Sequence, residues 1–90
     1  MFVAAKNNDT NGLRSLMHTG RSPNMVDENG DSVLMLAVKS DSVNAVRLLL
    51  AHDADRYNVD KNGMTPKQVA MKLGDPNLIS AFNEEYSANP

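Results

Sequence analysis

Apolar residues along the chain fall in short clusters separated by polar stretches, and the clusters recur in register. Val3, Leu36 and Val69 stand 33 residues apart, as do Leu13, Val46 and Ile79, and Leu16, Leu49 and Phe82. Ala4, Ala37 and Ala70 keep the same spacing, and so do Lys6, Lys39 and Lys72. The polar stretches repeat with them, since Asp27, Asn29 and Gly30 return as Asp60, Asn62 and Gly63. So many coincidences in one ungapped register mark a tandem repeat of a single supersecondary unit.

Within each unit the pattern predicts two short helices. Thr65 can cap an orphan amide and Pro66 suits the first helical position, so a helix carrying Val69 and Ala70 begins there and stops near Gly74. Asp75-Pro76 repeats this logic and opens a helix with Leu78, Ile79 and Phe82. In the middle unit Ser32 caps a helix with Leu34, Leu36 and Ala37, and Asp41 or Ser42 caps one with Val43, Val46, Leu49 and Leu50 at helical spacing. The first unit offers Phe2 to Asn7 and Thr10 to His18, with Asp9 or Thr10 as cap and Gly12 as a weak point of about 1 kcal/mol. Turn formers fill Gly20 to Asp31 and Asp53 to Gly63, where Asn29-Gly30 and Asn62-Gly63 predict tight hairpin-like turns. Six antiparallel-paired helices joined at such turns describe an all-α solenoid.

Composition narrows what such a solenoid can do. Ninety residues form one domain, residues 1–90, and bury about 60–65% of the surface of the unfolded chain. With no cysteine, neither a disulfide framework nor a thiolate zinc site is possible. Nine basic against eleven acidic residues give a net charge of −2, which disfavours nucleic acid as a partner, as does the scarcity of stacking aromatics. No apolar run is long enough to span a membrane, and Met1 to Lys6 lacks the features of a secretory signal.

The repeat resembles a known family, the ankyrin repeat, whose pattern runs D-x-x-G-x-T-P-L-H-x-A-A, then a second helix ending L-L-L and a closing G-A-D-x-N. The middle unit reads Asp27-Glu28-Asn29-Gly30-Asp31-Ser32-Val33-Leu34-Met35-Leu36-Ala37-Val38, then Val46-Arg47-Leu48-Leu49-Leu50-Ala51-His52-Asp53-Ala54-Asp55. The third opens Asp60-Lys61-Asn62-Gly63-Met64-Thr65-Pro66, and the first closes Gly20-Arg21-Ser22-Pro23-Asn24. The resemblance implies an ankyrin-repeat solenoid with a partial first repeat (1–26), a second (27–59) and a C-terminal capping repeat (60–90). Lys67 and Gln68 depart from the usual apolar residue and His, which suits a terminal unit facing water. The closing Asn is kept as Asn24 and replaced by Tyr57. The chain opens part-way into a unit, as a shortened first repeat or as a piece of a longer array.

No catalytic, cofactor or metal constellation stands out. His18 and His52 are not spaced i, i+4 and have no Cys partner; both read as surface residues near outer-helix ends. The acidic stretch from Asp27 fails as a calcium loop, because Val38 stands where the closing Glu belongs. Asn8-Asp9-Thr10 matches a glycosylation acceptor, a common pattern that matters only in a secreted protein, and Asp9 or Thr10 reads as the cap of the second helix. The column Lys6, Lys39, Lys72 has two readings, as complements to helix C-termini or as a basic ladder meeting a partner's carboxylates. Tyr57 is either a packing plug or an interface anchor. Met25 and Met64, on turns, can give an adaptable surface.

The expected function is non-catalytic binding of another protein through the concave face and turn tips. In ankyrin-like geometry this surface would take in Glu28, Asn29, Asp31, Lys39, Ser40, Tyr57, Lys61, Asn62, Met64 and Lys72. The alternative is a regulatory or inhibitory domain that recruits or blocks an enzyme or toxin. The chain is expected to need no cofactor, to be monomeric by itself, to bind neither nucleic acid nor membrane, and to reside in the cytoplasm.

Overall fold

The computed structural model describes residues 2–22 and 24–83; the last seven residues of the third repeat lie outside this range. Six helices follow in order, α1 (Phe2–Lys6), α2 (Thr10–His18), α3 (Val33–Lys39), α4 (Val43–Ala51), α5 (Pro66–Leu73) and α6 (Pro76–Asn83). Each odd helix packs against the even one that follows it. The odd helices also touch in sequence, α1 on α3 on α5, and the even helices do the same, α2 on α4 on α6. Two parallel helical layers result, an inner one of α1, α3 and α5 and an outer one of α2, α4 and α6. Among the described residues the extended pairing is a single antiparallel bridge, Val26 with Ser32.

Local chemistry accounts for most of the boundaries. Asp9 caps α2 by accepting the Gly12 amide at 2.9 Å, and Ser32 caps α3 by accepting that of Met35 at 3.0 Å. At α5, Thr65 and Gln68 form a reciprocal capping box, with Pro66 in the first turn. The inner helices end alike, because a residue one or two positions past each adopts positive φ at equivalent positions, Asn8 (57°), Asp41 (56°) and Gly74 (77°). This left-handed residue reverses the chain into the outer helix.

Two sequence expectations change. Gly12 is not simply a weak point, since a Cβ there would meet Asp9 Oδ2 at 2.5 Å and displace the cap. The N-terminus of α4 is not capped by Asp41 or by the Ser42 hydroxyl. Ser42 Oγ instead donates to the Lys6 carbonyl at 3.1 Å, and the Ala45 amide donates to Asn8 Oδ1 at 2.9 Å. The preceding repeat therefore caps this helix, a contact no local rule anticipates.

Both turns form as expected and share one design. Asp27 Oδ1 accepts the amides of Asn29 and Asp31, each at 2.9 Å, and Asp60 Oδ1 accepts those of Asn62 and Met64 at 2.9 and 3.0 Å. Gly30 and Gly63 take the positive φ, 81° and 76°, that closes each turn. Among the described residues eighteen hydrophobic ones are buried, and the middle repeat supplies eleven, among them Leu34, Met35, Val46, Leu49 and Leu50. The end repeats lean on this centre from either side, as expected of a stacked array.

Candidate functional site

Lys39 lies at the last turn of α3, and its ammonium is held by two carboxylates. Nζ stands 3.2 Å from Asp31 Oδ1 and 3.3 Å from Asp60 Oδ2. The Asp60 side chain is only 2% exposed, while that of Lys39 is 34% exposed. Burial pulls the Lys39 ammonium down, but hydrogen bonds and charge from Asp31 and then Asp60 outweigh it, and its pKa is raised. Asp60 is held below the ordinary carboxylate range chiefly by the Met64 amide, against the opposing effect of burial, with further help from the Asn62 amide and Lys39.

This arrangement revises the basic-ladder reading. Lys39 and Asp31 are engaged with each other and with Asp60, so Lys39 ties the second repeat to the third. Sequence reading missed Asp60 in this role, because its alignment with Asp27 already explained it as a turn residue. The other two rungs differ. Lys6 and Lys72 are exposed and have no ion pair among the described residues. Met64 stands 33 residues after Asp31, so the third repeat has no carboxylate at the place where Lys39 finds its first.

Lys6 borders a recess on the inner side, of about 570 Å³. Phe2, Val3 and Leu36 contribute apolar surface from α1 and α3. Val26, Asp27, Glu28 and Asn29 close it from the first turn. The repeating apolar column Val3, Leu36, Val69 is graded in burial: Val3 is 70% exposed, Leu36 half-buried and Val69 buried. Phe2, Val3, Val26 and Leu36 were not among the expected contact residues. The signal that could have found them is the equivalence of Val3 and Leu36, which the 33-residue register places side by side on neighbouring inner helices.

The remaining expected residues separate into groups. Glu28 and Asn29 line this groove, while Lys61 and Asn62 are exposed on the second turn. Ser40 is exposed just beyond α3, Met64 is half-buried, and Lys72 is exposed at the last turn of α5. Tyr57 is 78% exposed, which removes the packing-plug alternative. It lines a different recess, of about 350 Å³, with Arg56, Thr65, Lys67 and Phe82. Of the ten expected residues, Asp31 and Lys39 belong to the ion-paired bridge, Glu28 and Asn29 line the groove and Tyr57 lines a separate recess, while Ser40, Lys61, Asn62, Met64 and Lys72 line none of these three. Asn24, the counterpart of Tyr57, accepts the Asp55 amide at 2.7 Å and so stitches the first repeat to the second. A tyrosine has no side-chain amide oxygen with which to accept a backbone amide in this way, and its ring is largely in solvent.

The family model of ankyrin repeats (three copies) matches residues 1–89. The chain belongs to the ankyrin-repeat family. Ankyrin repeats are generally protein-interaction modules and typically non-catalytic. Comparison with individual curated proteins gives no match. Among the described residues of this ankyrin array, no group of three His, Cys, Asp or Glu side chains could hold a metal ion. No helix described is long and apolar enough to cross a membrane.

Proposed function

We propose that the chain is a non-catalytic binding module that takes an extended segment of a partner protein into the groove between α1, α3 and the first turn. The observation that carries this reading is the groove's make-up. Phe2, Val3, Val26 and Leu36 provide apolar surface, Lys6 brings a cation from α1, and Asp27 and Glu28 bring carboxylates from the first turn. Apolar surface flanked by separated opposite charges favours a segment with an apolar anchor and a carboxylate placed toward Lys6. Glu28 and Asn29 would read the near end of that segment. Ser40, Lys61, Asn62, Met64 and Lys72 extend the surface along the remaining inner side, and Tyr57 offers a second anchor. A monomeric, cytoplasmic protein fits this role.

The test is affinity capture by the immobilised chain with identification by mass spectrometry, followed by titration of the captured partner. Val26→Glu and Leu36→Glu should each weaken that partner at least about tenfold, the effect of losing one buried anchor. A partner indifferent to both substitutions would place its contact elsewhere and overturn the groove reading.

A further inference from the structure

The two turns share one backbone design and carry opposite charges. Each closes with the same pair of main-chain bonds in addition to those made by its first Asp. The Asp27 amide donates to the Asp31 carbonyl at 2.9 Å and the Gly30 amide to the Asp27 carbonyl at 3.1 Å. The Asp60 amide donates to the Met64 carbonyl at 3.0 Å and the Gly63 amide to the Asp60 carbonyl at 2.9 Å. Asp, Asn and Gly are common to both turns, which differ at Glu28 against Lys61 and at Asp31 against Met64. The bridge to Lys39 accounts for Asp31. Nothing within the fold accounts for the other pair. Glu28 and Lys61 are both exposed, and among the described residues neither side chain makes a hydrogen bond or an ion pair. The same backbone accepts a carboxylate at this place in one repeat and an ammonium in the next.

An apolar residue recurs with each charge. Val26 and Val59 stand two residues before Glu28 and Lys61, and they are 49% and 46% exposed. Each turn therefore offers a partner an apolar contact within two residues of a charge, and an ion pair formed beside apolar surface is less weakened by water. The ground around the charges sharpens the contrast. On the first turn Asp27 adds a second carboxylate to that of Glu28. On the second turn Asp60 is buried and ion-paired with Lys39, so Lys61 is the outward charge there.

We propose, building on the groove assigned above, that the two turns set the direction of the bound segment: it places a basic side chain against Glu28 and an acidic one against Lys61, with apolar side chains on Val26 and Val59. Neighbouring repeats are about 8–10 Å apart, the usual spacing of packed helices, and an extended chain covers that distance in about three residues. The two charges of the ligand therefore stand about two to four positions apart. A segment laid in the opposite direction brings like charges together at both turns, which discriminates more strongly than loss of attraction alone.

The experiment is selection of short random peptides, displayed on phage, on the immobilised full chain and in parallel on the double exchange Glu28→Lys with Lys61→Glu. The exchange keeps the net charge and gives each turn a side chain that the other already carries, so the melting curves of the two chains should coincide. The parent should enrich peptides with a basic and an acidic residue about two to four positions apart in one N-to-C order, and the exchanged chain should enrich the reverse order. In fluorescence anisotropy, a consensus peptide from the parent should bind the exchanged chain at least about tenfold more weakly at low salt, with the contrast shrinking as salt rises. The same peptide with its two charges transposed should regain binding there. Leu36→Glu, in the inner groove, separates the two assignments. Peptides that lose binding to Leu36→Glu but keep one charge order on parent and exchanged chain would leave the groove standing and overturn the proposal. Peptides that reverse their order but ignore Leu36→Glu would support it and remove the groove. Mixed orders on the parent, or no enriched sequence on either chain, would also overturn it.

Discussion

Lys39 Nζ lies 3.3 Å from Asp60 Oδ2, and this contact joins the inner helix of one repeat to the turn of the next. A charge-assisted bond to a nearly buried carboxylate holds position more firmly than an exposed pair, because little water competes for it. It fixes where the second turn stands relative to α3, and therefore how the third repeat is seated.

Lys39→Met should lower the melting temperature by at least about 4 °C, the shift that 1 kcal/mol produces in a domain of this size. The pH dependence separates the two partners. The Lys39 pKa is raised in the fold, so its stabilisation is fully present below the ordinary 10.5 and is lost as pH rises through the higher folded value. The Asp60 pKa is lowered, so its stabilisation is present above the ordinary 3.8 and is lost as pH falls through the lower folded value. In Lys39→Met the alkaline loss should vanish, whereas the acid loss should largely persist, because the Met64 amide is its largest cause. Thermal melts across both windows check this; an acid limb that disappeared with the lysine would contradict it.

At the inner-helix ends, substitutions should divide by backbone and by side chain. Asn8→Ala loses the bond to the Ala45 amide and puts a Cβ residue at φ 57°, so it should cost about 2 kcal/mol. Asn8→Gly loses the bond but relieves the backbone, and should cost about half as much. Asp41→Gly should raise the melting temperature by a few degrees at neutral pH. It relieves φ 56° and removes a carboxyl whose pKa is raised first by its hydrogen bond to Asp75, then by partial burial and by that neighbour's charge.

Leu49 is fully buried in α4, at the centre of the array. Leu49→Ala should cost about 2–5 kcal/mol. Deleting residues 64–90 should unfold the remainder, since α3 and α4 would lose the helices α5 and α6 that cover them. Circular dichroism melts are the measurement, and a truncated chain melting cooperatively near the parent temperature would contradict the expectation.

Tyr57→Ala should leave stability unchanged, since the ring is largely in solvent. For a partner captured by the chain it should cost about 1–3 kcal/mol of binding, read by calorimetry. Lys6→Glu should slow association more at low salt than at high salt, whereas Lys39→Glu is a poor probe because it also breaks the bridge between repeats.

The helices, the caps at Ser32 and Thr65 and both Asn-Gly turns were legible in the sequence because each depends on residues within four positions of one another. The 33-residue register carried that local reading through the array. What it hid were the ties between repeats. Comparison at a fixed spacing pairs equivalent positions, whereas Asn8 with Ala45, Ser42 with Lys6 and Lys39 with Asp60 join positions that are not equivalent. The groove escaped for a related reason. Periodicity assigns Val3 the same role as Leu36 and Val69, but burial depends on what packs against each side chain, and Val3 is exposed where Val69 is buried.

Among the described residues the first repeat contributes only Ala5 and Leu13 to the buried hydrophobic set, yet α1 forms one wall of the groove. The wall is therefore the most weakly anchored part of the structure that a ligand would touch. Opening of α1 removes the groove, so a segment seated there works as a staple on the N-terminal helix. Amide exchange of residues 3–6 should slow on its addition in proportion to its occupancy, while exchange in α4 stays as it was. Recognition and the last step of ordering are then one event, and a partner's affinity carries the cost of completing the helix that receives it.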